Sequence, residues 1–305
     1  MWAIIVAAVV LLAVFIISYI CYRIAFSRWG KVPDQSKSEQ YDPYMPRINE
    51  LREKFKAMPC ESVQIRSHDG LRLAARLYEC DPEAPVAIMI HGYRSHGFTD
   101  FCVGASLCKR RGINFLLVEQ RGIGRSGGKT ISFGVNERKD CVAWCRYIAK
   151  RYGEDRKMVL CGVSMGASTV LMASELDLPA GVAGITADSP FTSPGAIIRE
   201  VIKGMRLPVW PSYIFVWLGA LIFGKFNLSG ASAIKAVKNS RVPIQIFHGE
   251  EDRFVPCYMA QELYDVAQCE KELTTAPGAG HVLGYFLIEE EYERKYYAFF
   301  DRIGC

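Results

Sequence analysis

The feature that most narrows the folds open to this 305-residue chain is a rhythm of short apolar runs. Nearly continuous apolar stretches at 86–90, 114–119, 158–163, 184–187 and 243–247 each lead into a polar residue or a glycine. Helical patterns at 136–152, 165–176 and 259–267 lie among them. A strand that is apolar on both faces has to be covered on both faces. Such runs, separated by helices, predict an α/β fold with a mostly parallel central sheet between two helix layers. Ahead of them, 62–66 and 71–77 flank the turn Ser67-His68-Asp69-Gly70 and read as a hairpin, and 272–275 reads as a later strand. Ligands of open parallel sheets gather beyond the carboxyl ends of the strands. Those ends carry His91-Gly92, Gln120-Arg121-Gly122, Ser164, Asp188 and His248-Gly249 here, so chemistry is expected along that edge.

The amino-terminal end is of a different kind. No charged residue occurs from 2 to 22, and Ala, Val, Ile, Leu and Phe dominate. At about 1.5 Å rise per residue this stretch is long enough, as a helix, to cross a hydrocarbon layer of about 30 Å. No basic residue precedes it and no small-residue cleavage pattern follows, which argues against a removable signal peptide. Tyr19, Tyr22 and Trp29 suit an interface. Arg23, Arg28 and Lys31 follow at once, so the positive-inside rule predicts a single-pass protein of the cell membrane with its bulk in the cytoplasm. Eleven cysteines without a CxxC pair or a regular framework fit a reducing compartment, where they act as small buried hydrophobes. The expected organisation is a transmembrane helix at 2–22, a juxtamembrane linker and short helix at 23–59, and one domain at 60–305. The net charge of +5 is modest and spread out, and its densest cluster, Lys109-Arg110-Arg111, reads as a solvated helix end rather than a nucleic-acid footprint.

The strongest chemical motif is Gly162-Val163-Ser164-Met165-Gly166, set between a strand pattern and a helix pattern. A serine hydroxyl is a poor nucleophile unless a base takes its proton and the oxygen stands clear of the backbone. Small residues two before and two after the serine allow strand and helix to approach, and the Met165 N–H at the helix start can face a developing oxyanion. In turns of this kind the acid and the histidine follow the serine in the chain. Only His248 and His281 do so. His248 adjoins Gly249 at a strand end and leaves no room for an acid before it, whereas His281 ends the flexible stretch Pro277-Gly278-Ala279-Gly280. His281 is the expected base. Asp252, in the turn after the 243–247 strand, is the expected acid, with Asp188 as its main rival and Glu250 and Glu251 as nearer, solvent-facing ones. The second oxyanion donor is expected from the backbone N–H of Tyr93, after His91-Gly92. His91 reads as a brace for that loop, and His68 and His96 sit in surface turns without an assigned role. Gly122-Ile123-Gly124-Arg125-Ser126-Gly127 matches the dinucleotide pattern GxGxxG, but Gly128, Lys129 and Thr130 follow instead of a helix. It reads as a structural turn, and neither a cofactor nor a metal is expected.

Taken together, His91-Gly92-Tyr93, the RGxGxS turn at 121–126, the elbow at Ser164, the HGxxDxxVP element at 248–256 and the GxGH at 278–281 resemble the α/β-hydrolase superfamily. The resemblance runs from about 60 to 303 and is nearest to membrane-anchored, esterase-like bacterial hydrolases, similar to the serine aminopeptidase grouping. It implies an α/β-hydrolase fold and a triad of Ser164, Asp252 and His281. Glu119-Gln120 departs from the family's usual aspartate before the RGxGxS turn, which touches the bracing of that loop. Serine at the elbow disfavours the aspartate-nucleophile branches. The resemblance also implies that the insertion at about 190–242, rich in Trp, Phe, Leu and Ile, is a helical lid over the serine. Helix-packing core and a dip into the bilayer are the alternatives. The expected activity is cleavage of a carboxylic ester, lipid-derived or otherwise, through an acyl-enzyme on a small-molecule substrate. Peptidase, aminopeptidase-like or thioesterase activity on the same triad, and a non-catalytic binding role, are the other readings.

Overall fold

A computed structural model describes residues 1–29 and 39–305. Gly30, Lys31 and Pro33, part of the expected linker, lie outside the described residues. Two helices come first, α1 (Trp2–Ala25) and α2 (Met45–Lys56). The hairpin β1 (Glu61–Arg66) and β2 (Arg72–Tyr78) follows, then β3 (Val86–Ile90), α3 (Cys102–Arg110), β4 (Asn114–Glu119), α4 (Glu137–Tyr152), β5 (Met158–Val163), α5 (Met165–Ala173) and β6 (Val182–Asp188). The insertion contributes α6 (Pro194–Gly204), α7 (Val209–Gly219), a π-helical turn (Ala220–Gly224) and α8 (Ala233–Lys238). The chain ends with β7 (Ile244–Gly249), α9 (Tyr258–Val266), β8 (Lys271–Ala276), α10 (Gly284–Leu287) and α11 (Glu289–Arg302).

The eight strands lie in the order β1-β2-β4-β3-β5-β6-β7-β8. β2 runs antiparallel to both β1 and β4, and every other pairing is parallel. β3, β4, β5 and β7 are buried along their whole length, as a sheet covered on both faces requires. One face packs on Trp144 and Ile148 of α4 and Val170 and Leu171 of α5, the other on Leu107 of α3 and Phe299 and Phe300 of α11. All eleven cysteines are unpaired, and Cys102, Cys108, Cys141, Cys145 and Cys161 are buried as core atoms.

The turn after β4 shows why its glycine pattern is structural. A Cβ on Gly124 would stand 2.3 Å from Glu119 Oε2, and that carboxylate accepts from the Arg125 backbone N–H and from Arg125 Nε at 2.8 Å. The turn closes on the sheet and no helix follows until Glu137, which removes the helix N-terminus a dinucleotide would need. Beside it, Arg121 donates to Asp140 from Nε and Nη2, both at 2.7 Å, and to Asp69 from Nη1 at 2.9 Å. Burial works against that guanidinium's charge, but the hydrogen bonds and field of Asp140, with Glu137 and Asp69, outweigh it and hold it firmly cationic. His68, Asp69 and Asp140 cluster here, and Arg121 supplies the positive charge among them.

Helix α1 is exposed over most of its length and joins the domain at its carboxyl end. Tyr22 Oη lies 2.8 Å from Thr130 Oγ1, Tyr93 Oη donates to the Ala25 carbonyl at 2.6 Å, and Arg94 donates to the carbonyls of Ile24 and Ser27 at 2.8 and 2.7 Å. Along its last turns α1 packs against α7, where Ser18 is fully buried.

Candidate active site

Ser164 sits between β5 and α5 with φ +53° and ψ −117°, a backbone conformation L-residues rarely adopt. The flanking glycines make that turn possible. A Cβ on Gly166 would stand 1.8 Å from the Ile90 carbonyl oxygen, and one on Gly162 would stand 2.4 Å from that of Gly166. Strand, turn and helix therefore pack closer than any side chain permits, and the Ser164 hydroxyl projects from the sheet edge.

His281 Nε2 lies 2.9 Å from Ser164 Oγ, and its Nδ1 lies 2.6 Å from Asp252 Oδ2. A carboxylate only accepts, so Nδ1–H donates to Asp252 and leaves Nε2 to accept from the serine hydroxyl. Asp252 is itself fixed by the turn after β7, its Oδ1 accepting from the backbone N–H groups of Phe254 and Val255, both at 2.8 Å. Burial pushes its pKa up, but His281 and His248 outweigh that and hold the carboxyl well below the usual carboxylate range. Burial likewise works against a protonated His281, and the charge and hydrogen bond of Asp252 reverse the balance, raising the imidazole above its ordinary 6.5.

Asp188, the rival acid, stands at the end of β6 without a hydrogen bond to His281. It accepts from Ser189 Oγ at 2.9 Å and from Tyr292 Oη at 3.1 Å, and burial raises its pKa. His248 is turned toward the Val255 carbonyl at 2.8 Å. His91 is fully buried, with Nδ1 2.8 Å from the Gly92 carbonyl and Nε2 accepting from the Gln120 backbone N–H at 3.1 Å. Gln120 in turn donates from its side chain to the His91 carbonyl at 2.5 Å, so the glutamine braces this loop. Gly92 approaches the serine so closely that an added Cβ would lie 3.4 Å from Ser164 Cβ.

Two residues of this site carried no sequence signal. Asp100 accepts from the Gly92 backbone N–H and from Ser95 Oγ, both at 2.7 Å, and so pins the loop before Tyr93. Tyr41, just ahead of α2, donates to the His281 carbonyl at 2.6 Å. Both line a cavity of about 720 Å³ that also exposes Ser164 and His281. Its apolar walls come from α2, α3 and the strand ends, including Met45, Ile48, Met89, Phe101, Val103 and Leu107, and His96 lies on its rim. The insertion at 190–242 is helical as expected, but none of its residues lines this cavity. Within it α7 and the π-helical turn lean on α1, α6 packs on α7 and α8 on α5 and α9, while α2 lines the cavity.

A model of the alpha/beta hydrolase family matches residues 87–294. The chain belongs to the alpha/beta hydrolase family. Among curated relatives it is 24% identical to YqkD of Bacillus subtilis (strain 168), an uncharacterized protein, over 63% of this chain and 64% of that one. It is also 24% identical to the uncharacterized protein YfhR of Escherichia coli (strain K12), over 73% of each chain. The chain thus spans just under two thirds of YqkD. Among solved structures, the Pyrococcus furiosus esterase Pf2001 superposes with a TM-score of 0.63 at 23% identity, covering 83% of this chain and 94% of that one. Its likeness shows the shared fold, and this alpha/beta hydrolase keeps the eight-stranded, mostly parallel sheet.

Proposed function

We propose that this hydrolase is a serine esterase in which Ser164 attacks an acyl carbonyl, His281 takes the serine proton and Asp252 orients the imidazole. The observation that carries the reading is the unbroken relay from Asp252 Oδ2 through His281 to Ser164 Oγ, at 2.6 and 2.9 Å. The Tyr93 and Met165 backbone N–H groups hold the oxyanion, and His281 returns its proton to the leaving alkoxide. Water then repeats the sequence on the acyl-enzyme. No cofactor enters any of these steps.

An apolar cavity beside the serine favours an ester with a hydrocarbon acyl group, lipid-derived esters included. Charge separates this from the aminopeptidase alternative, which must hold a substrate ammonium. Asp100 and Asp188 are the only carboxylates among the described lining residues, both already accept hydrogen bonds, and Arg52, Lys56 and Arg94 share the lining with them. A chain-length series of p-nitrophenyl esters run beside aminoacyl p-nitroanilides tests this. Medium or long acyl esters are expected to be cleaved with the highest kcat/KM, and faster cleavage of the anilides would replace the ester reading with the peptidase one.

The reaction needs the neutral imidazole. Because Asp252 raises the His281 pKa above 6.5, kcat/KM is expected to climb with pH through an inflection above that value. Asp252→Asn removes the anion and is expected to move the inflection down. The linked stability runs in the same direction on the acid side: with Asp252 depressed in the fold, its contribution is present above about pH 4 and is lost as pH falls toward its folded value. An inflection below 6.5 in the unaltered enzyme would contradict the pairing.

For the address, α1 is taken as a single membrane span with Arg23 and Arg28 on the cytoplasmic side, together with the whole hydrolase domain. The exposed thiols of Cys60 and Cys80 then react with an impermeant maleimide only after cell lysis. Labelling in intact cells would reverse the orientation.

A further inference from the structure

We infer that the insertion is a second membrane-contacting element: its π-helical turn and the adjoining end of α7 lie in the acyl-chain layer of the bilayer that α1 crosses. This rests on the reading of α1 as a span, and it follows from where the two helices touch. The uncharged run of α1 ends at Tyr22, with Arg23 next, so those residues mark the hydrocarbon boundary. Phe15 is two helical turns deeper, about 10 Å at ~1.5 Å per residue. The Phe223 ring lies 4.9 Å from that of Phe15, 5.0 Å from that of Tyr19 and 6.0 Å from that of Tyr22. Whatever depth α1 has there, Phe223 shares.

The crossing is also built as lipid-buried helix pairs are. Gly219 comes so close to α1 that a Cβ would stand 2.5 Å from the Ser18 carbonyl oxygen, a small-residue contact of the kind that lets membrane helices approach. No charged residue occurs from 209 to 224, and Trp210, Ile214 and Ile222 are exposed, at 74%, 46% and 46%. At the end of this stretch Phe226 packs at 5.1 Å on Phe26, beyond the boundary of the span, so the chain leaves the hydrocarbon between Phe223 and Phe226, where Lys225 stands. The α7 segment is too short to cross, and Lys203 and Arg206 just ahead of it carry stems long enough to reach headgroups from a shallow position. The insertion is thus a shallow, in-plane contact rather than a second span. It holds the cavity wall at Tyr93 and Arg94, already bonded to the last turn of α1, against the leaflet.

Site-specific photocrosslinking of the full chain in phosphatidylcholine–phosphatidylglycerol vesicles tests this. Benzoylphenylalanine is placed at Ile222 on the turn, at Ile5 on α1, and at Asp155 in the bend before β5, at the end of the sheet away from Ser164. Retained ester hydrolysis checks the fold of each variant. Lipid adducts are expected at Ile222 and Ile5 and not at Asp155. An adduct at Ile5 without one at Ile222 overturns this inference and leaves the anchor standing. No adduct at Ile5 overturns the anchor, and the depth comparison with it. Adducts at all three positions would mean indiscriminate association and overturn the inference as well.

Discussion

Ser164→Ala is expected to lower kcat toward a p-nitrophenyl ester by roughly a million-fold, the scale seen when a triad nucleophile is removed. The variant keeps its cavity, the proposed oxyanion donors and its His281–Asp252 pair, so KM is expected to stay within a few-fold. The physical reason is that, in the proposed mechanism, Oγ is the atom that forms the new bond. No other hydroxyl touches His281 Nε2 among the described residues, so nothing can stand in for it. The substitution removes one oxygen from a turn whose shape is set by Gly162 and Gly166, and a stability change of more than about 1 kcal/mol would be a surprise for so small an alteration. A loss of only a few-fold, measured on folded protein, would mean that hydrolysis occurs elsewhere.

Asp252→Asn is expected to cost about four orders of magnitude in kcat. An amide at this position can donate where the carboxylate accepts. It therefore favours the wrong imidazole tautomer and gives no stabilisation to the imidazolium formed as the serine attacks. Asp188→Asn is the matched control, because Asp188 is buried in the same region and close enough to act on His281 through its charge. Its hydrogen bonds go to Ser189 and Tyr292, so its loss is expected in stability and in a small downward shift of the pH profile, with kcat falling far less. A larger kcat loss for Asp188→Asn than for Asp252→Asn would exchange their roles.

The choice between these two aspartates shows where the sequence stops being readable. Asp188 ends β6 and Asp252 lies just past β7 in the same sheet, and strand ends are as far as local pattern reaches. What separates them is the turn after β7. There, two backbone N–H groups hold Oδ1 of Asp252 and aim Oδ2 at an imidazole 29 residues later in the chain. The sheet was legible for the opposite reason: burial on both faces forces each strand to be apolar on its own, whatever its neighbours. Boundaries moved by a few residues, as for β6, which starts at Val182 where the apolar pattern suggests 184.

Tyr41 was invisible because its role is a hydrogen bond to the distant His281 backbone, and Asp100 because its bonds within the loop at 92–100 follow no recurring spacing. The insertion was visible as an apolar, helix-forming stretch, yet its partner was not. An apolar helix face looks the same whether it roofs a cavity or packs on another apolar helix. Only the contacts of Gly219 and Phe223 with α1 separate the two. The cover over the site instead comes from α2, directly ahead of the domain.

The most direct test of the central claim is the mass of the adduct formed with a fluorophosphonate. The full chain in vesicles is expected to take up one phosphonyl group, found on the peptide that carries Ser164, at a rate that falls as pH drops below the His281 inflection. Uptake on another residue, uptake that persists in Ser164→Ala, or no uptake by the folded wild type would contradict the assignment of Ser164 as the nucleophile.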